Sequence, residues 1–172
     1  FPPMPRIGEK PLAGEALLYL SNTSVILVDE PGADRIERAI LDEVFKDAAM
    51  LAAAGGLLKL DLREDRASET PFLADAALMA RISKLGRNSL AICGGLLEGA
   101  VTQTSLAALM DGLDVFVPVD LIVSAEPDKV SLFLSRISAC GGHTLSYRQI
   151  VLELLSGESD LTRRAPLEAL LE

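Results

Sequence analysis

The side chains able to do chemistry gather near two strand ends. Asp29 closes the apolar run Val25–Asp29 (VILVD), and Cys93 sits in LAIC just before the glycine turn Gly94–Gly99. A carboxylate beside a thiol or hydroxyl is the usual kit for a nucleophile with its base or orienting group. At the start of the next helix, where a nucleophile would be useful, the chain has Gly99, Ala100 and Val101. Thr102, Thr104 and Ser105 follow in the first helical turns. Their hydroxyls can help free backbone N–H groups hold an anion, or they can satisfy local carbonyls. Asp29 also has two readings. It faces the Glu98–Thr104 turn across the strand ends, or it caps the turn Glu30-Pro31-Gly32.

Other constellations are weaker. Gly94–Gly99 has the strand-turn-helix setting of a dinucleotide fingerprint, with Asp114 or Asp120 placed as a ribose-binding acid. Leu96, however, replaces the middle glycine and blocks the close approach to pyrophosphate that the motif provides. A catalytic thiol wants a helix N-terminus or a cation nearby. Cys93 instead lies in an apolar strand, and packing is the default reading for both Cys93 and Cys140. The only histidine, His143, stands beside glycines at a short strand and reads as structural. No acidic pair has convincing metal spacing, so neither metal nor cofactor is expected.

Elements that would position these residues alternate along the chain. Strands are expected at Val25–Asp29, Leu57–Leu62, Ser89–Cys93 and Val115–Val119, the first a continuous apolar run as in a parallel sheet covered on both faces. Helices are expected over Ala33–Ala54, with Ile36, Ile40, Val44, Ala48 and Leu51 inward, and over Leu73–Leu85, with a polar loop Arg63–Pro71 before it. Pro127 opens a further helix with the stripe Val130, Phe133, Leu134 and Ile137. Ser146 with Gln149 forms a capping box for Tyr147–Leu155. Pro118, inside VFVPVD, implies a bulge or a missing ladder bond. The pattern predicts a three-layer α/β/α sandwich around a mostly parallel, Rossmann-like sheet. A Pro-rich extended segment (1–19) precedes the domain (20–158), and a charged tail (159–172) carries a short helix near Pro166–Leu171.

With 172 residues the chain can bury a full core as one domain. A net charge of −9 disfavours nucleic acid as a partner. No apolar run approaches the roughly 18 residues of a membrane span. Two widely spaced cysteines in an α/β pattern point to a reducing, intracellular compartment, cytoplasmic or, with a removed leader, mitochondrial.

Together these segments resemble the isochorismatase-like family of cysteine hydrolases, which includes nicotinamidases. The likeness is greatest to the isochorismatase-domain-containing branch and its trypanosomatid relatives, and it covers roughly residues 20–158. In that family a first strand ends in a catalytic Asp, which Asp29 matches. The family signature continues with a Gly (Gly94), a nucleophilic Cys six residues later, a Thr four beyond that (Thr104), a small residue (Ala108) and a Gly-Leu step (Gly112-Leu113). VFVPVDLI then matches the strand ending in an Asp. In this register the nucleophile falls on Ala100. The catalytic Lys should lie just before Phe72, yet no Lys stands between Lys59 and Lys84, and Arg66 or Glu69 is nearby instead.

Of the Asp-Lys-Cys triad the resemblance leaves only Asp29, as a vestige. It implies a protein without hydrolase activity that serves as a binding or structural subunit, in a homo-oligomer or with a paralogous chain. Leu97, Glu98, Gly99 and Thr104 would line any remaining small-molecule site. The competing expectation is a hydrolase of small amides or enol ethers that uses Cys93, Thr102 or Thr104 as nucleophile.

Overall fold

A computed structural model describes residues 18–30, 33–63 and 74–172. Strands β1 (Thr23–Val28), β2 (Leu58–Asp61), β3 (Ser89–Gly95), β4 (Asp114–Pro118), β5 (Ile122–Val123) and β6 (His143–Leu145) form one sheet. The order is β2-β1-β3-β4-β6, with β5 also on β3, and every pairing is parallel. Helices α1 (Arg35–Gly55), α2 (Ala76–Ser83), α3 (Thr102–Met110), α4 (Val130–Ala139), α5 (Tyr147–Ser156) and α6 (Leu161–Ala169) flank it. All residues of β1 and β3 are buried, which is why their sequences run apolar without alternation.

The two faces carry separate cores. On one, Val25, Leu27 and Cys93 meet Leu41, Phe45, Ala48, Ile150 and Leu154 from α1 and α5. On the other, Ile26, Ile92 and Val115 meet Ala100, Val101, Ala108 and Ile137. This is the layered α/β/α arrangement the alternating pattern predicts.

Several local expectations hold and some do not. Both capping interactions of Ser146 with Gln149 are present. Helix α1 ends at Gly56, whose φ of 59° places it in the left-handed region that favours glycine. Asp34 starts that helix in a reciprocal capping box with Glu37. The inward face of α1 is Leu41, Val44, Phe45, Ala48, Leu51 and Ala52. Ile36 and Ile40, expected inward, are instead 72% and 49% exposed. At 3.6 residues per turn, the stripe through Leu41, Phe45 and Ala48 turns both isoleucines to the helix flank. Cys140, expected to pack, is exposed because it caps the C-terminus of α4 at the surface. The C-terminal helix spans Leu161–Ala169 on an Asp160 cap, earlier than expected, and buries Leu167. Most of the expected loop Arg63–Pro71 lies outside the described residues.

Pro118 is the last residue of β4 and pairs with Leu145 of β6. Beyond it the chain turns, with the Leu121 N–H donating to the Pro118 carbonyl at 3.0 Å and the Gly94 N–H donating to the Leu121 carbonyl at 2.9 Å. The next residues, β5, then pair with Gly94 and Gly95. So β3 is flanked by β4 along its first half and by β5 at its end. A strand end is one of the positions where a residue lacking an N–H is tolerated.

Candidate functional site

Strand order reverses between β1 and β3, since β1 leads outward to β2 and the chain then returns to β3. In open α/β sheets, ligands bind at the carboxyl ends of the strands at such a switch point. Asp29 and Glu30 leave β1 here, and Leu96–Ala100 leave β3. The Gly95–Leu96 peptide is cis, and Leu97–Val101 forms a π-helical turn that runs into α3.

The approach of the two strands requires Gly94. Its φ is 117°, and a Cβ there would overlap the Val28 carbonyl oxygen and lie 2.8 Å from Phe45 Cε1. Gly99 makes a close approach of a different kind. Its backbone is not left-handed, but a Cβ would overlap both carboxylate oxygens of Glu30. The Leu96 N–H points to the same carboxylate, at 3.4 Å from Oε2. Glu30 therefore lies against the turn at Leu96 and Gly99.

Asp29 pairs with Arg38 of α1, whose Nη1 donates to Oδ2 at 2.7 Å, while Nη2 donates to the Glu30 carbonyl at 3.5 Å. The hydrogen bond to Asp29 raises the Arg38 pKa further above its already high value. Glu98 turns the other way. Its two oxygens accept from Ser124 Oγ and the Ala125 N–H, both at 2.8 Å, tying the π turn to the segment after β5.

The hydroxyls of the helix start are used locally. Thr102 donates to the Leu97 carbonyl at 2.6 Å and Ser105 to the Val101 carbonyl at 2.7 Å. Thr104 is fully buried. Ala100 is fully buried too, its methyl in the cluster with Ile26, Val28, Leu97 and Val101. Cys93 is buried on the opposite face, where burial and the nearby Asp120 charge push its thiol well above the ordinary range. His143 stacks on Phe116 with ring centroids 4.9 Å apart, away from the switch point on β6.

Thus Asp29 and Glu30 stand at the end of β1 and Leu96, Gly99 and Ala100 just beyond β3, with Glu30 against Leu96 and Gly99 and the Ala100 methyl turned into the core, while Cys93 and His143 lie elsewhere. Sequence reasoning missed Glu30 and Arg38. Arg38 carried a faint signal, a cation in the first turns of the helix that follows Asp29. Glu30 carried none, because its contact with Leu96 spans 66 residues.

This architecture, a mostly parallel sheet flanked by helices, is the α/β isochorismatase-like fold. The profile of the isochorismatase domain matches residues 65–149. No curated protein sequence matches the chain. Among solved structures, YcaC from Pseudomonas aeruginosa, bound to hexane-2,5-diol and covalent acrylamide, is similar with a TM-score of 0.71 at 18% identity, over 91% of each chain. The YcaC gene product of Escherichia coli, described as an octameric hydrolase of unknown specificity, gives 0.70 at 18% identity over 92% of this chain and 91% of that one. The MAR1 ribonuclease of Caenorhabditis elegans gives 0.70 at 15% identity, covering 91% and 93%.

Proposed function

We propose that this chain is a non-hydrolytic member of the isochorismatase-like class, in which a degraded triad has left a binding or structural subunit. The observation that carries the reading is Ala100, a buried methyl at the position where the resemblance places the nucleophilic thiol. Without a thiol or hydroxyl there, no acyl intermediate can form at that atom. The neighbouring candidates do not replace it. Cys93 is buried with its thiolate disfavoured. The Thr102 hydroxyl is engaged with a backbone carbonyl, and the Thr104 hydroxyl has no contact with solvent. No lysine stands between Lys59, on the edge strand β2, and Lys84, at the end of α2.

Asp29 persists in this reading as a structural anchor for Arg38. Residues 20–158 form the family-like domain, resembling the isochorismatase-domain-containing branch and its trypanosomatid relatives, in an intracellular protein. The chain assembles with copies of itself or with a paralogous subunit. Exposed Met110 and Leu132 on the α3 and α4 side supply apolar surface for that, and one structural neighbour is described as octameric. Among the described residues no helix is long and apolar enough to cross a membrane.

The test is hydrolysis across a panel of small amides including nicotinamide, with the wild type beside Cys93→Ser and Asp29→Ala. All three are expected to be inactive. Turnover that either substitution abolishes would establish a hydrolase with an altered nucleophile and overturn the reading. Light scattering on the purified protein tests assembly, and a monomer stable on dilution would count against it.

A further inference from the structure

We propose that Glu30 is an internal plug, its carboxylate occupying the space over Gly99 and the Leu96 N–H that a small carboxylate ligand would otherwise fill. The inference rests on the non-hydrolytic reading of the same crevice, and it says what keeps that crevice closed.

Three observations converge. First, the carboxylate takes the volume of a side chain at position 99, since a Cβ on Gly99 would overlap both of its oxygens. A negative group at a helix start is electrostatically favoured there. Second, the Leu96 N–H faces Oε2. Third, the plug is braced at its base, because Arg38 holds Asp29 and reaches the Glu30 carbonyl. The carboxylate thus comes from the chain itself, delivered by the residue that follows the Asp29 position, so an external anion has to displace a tethered one. A tethered group competes at high effective concentration, and free monocarboxylates are expected not to bind the wild type measurably.

Removing the side chain opens the space to a molecule of the same shape. Thermal unfolding of Glu30→Ala is measured with sodium propionate, against sodium chloride at equal ionic strength. The expected result is a propionate-specific rise in Tm of about 2–4 °C at propionate about tenfold above its Kd, with none in the wild type. Propionamide, neutral and nearly isosteric, is expected to give none. Equal responses of wild type and variant to propionate and chloride would overturn the proposal.

A second measurement reads the same contact without a ligand. Gly99→Ala is expected to be less favourable to Tm in the wild type, where its methyl displaces the flexible end of Glu30, than in Glu30→Ala. The same change in both backgrounds would also overturn the proposal. Where Glu30→Ala does not fold, Glu30→Asp, whose shorter arm withdraws the carboxylate, takes its place in both measurements. Amide hydrolysis is recorded on the same variants. Turnover would refute the non-hydrolytic reading while leaving the plug to be judged on Tm alone.

Discussion

At the β1–β3 crevice, Glu30 reaches over Gly99 and Asp29 is held by Arg38, so the strand ends are covered by their own side chains. Farther along the same carboxyl edge, the residues that follow β4 and β6 do the opposite. Asp120, Leu121 and Tyr147, with Asp47 and Met50 of α1 and Ala169 and Leu170 at the end of α6, line an open cleft of about 430 Å³. The Tyr147 N–H donates to Asp120 Oδ1 at 2.6 Å, and burial, then the charges of Asp47 and Asp120, raise the Tyr147 phenol pKa. Topology alone marks the first place as the binding crevice. One glutamate next to the strand decides whether it is available.

The largest expected effect tests the closed side at its backbone. Gly94→Ala places a methyl into the Val28 carbonyl at an unfavourable φ, and a loss of about 4 kcal/mol or more is expected by chemical denaturation. A variant within about 1 kcal/mol of wild type would mean the crevice does not depend on that strand approach.

Thiol labelling separates exposed from enclosed chemistry next. Cys140 is expected to react in the native protein and Cys93 only on unfolding, a rate difference of at least about 1,000-fold. Comparable native rates would show that the sheet near Asp120 opens readily.

Loss of the brace is smaller. Arg38→Ala is expected to cost about 1 kcal/mol, because the pair with Asp29 is only partly buried. No change in denaturation midpoint would show that the crevice holds without it.

The open cleft should respond least. Asp47→Asn removes one of the charges that raise the Tyr147 pKa, so the phenol is expected to titrate lower, by ultraviolet absorbance, with stability near neutral pH changed by less than about 0.5 kcal/mol. The sign follows from linkage. A phenol harder to ionise in the fold leaves stability intact below its ordinary range and removes it as pH climbs through the raised value. An unchanged titration would place Asp47 too far from the ring to matter.

Regular structure was legible because its causes are local. The apolar run of β1, the Gly56 stop of α1 and the Ser146–Gln149 box each act within a few residues. Pro118 was legible as a conflict, though not as the point where β3 changes partners. Ile36 and Ile40 misled, since apolar spacing defines a stripe but not which flank of a long helix meets the sheet. The site was less legible. Asp29 at a strand end can be read from the apolar run before it, and Ala100 as a nucleophile position only through the family resemblance, whereas the Glu30 contact with Leu96 and the Glu98 clasp on Ser124 join distant residues that carry no mutual signal.

Helix α6 packs on both α1 and α5, with Leu167 fully enclosed. Biosynthesis runs from the first of these partners to the last. Helix α1 therefore emerges from the ribosome long before the helix that covers part of it, and that side of α1 stays wettable until residues 161–169 follow. Chaperone capture should be most frequent in that interval, and translation stalled before Asp160 should yield the form most prone to aggregate.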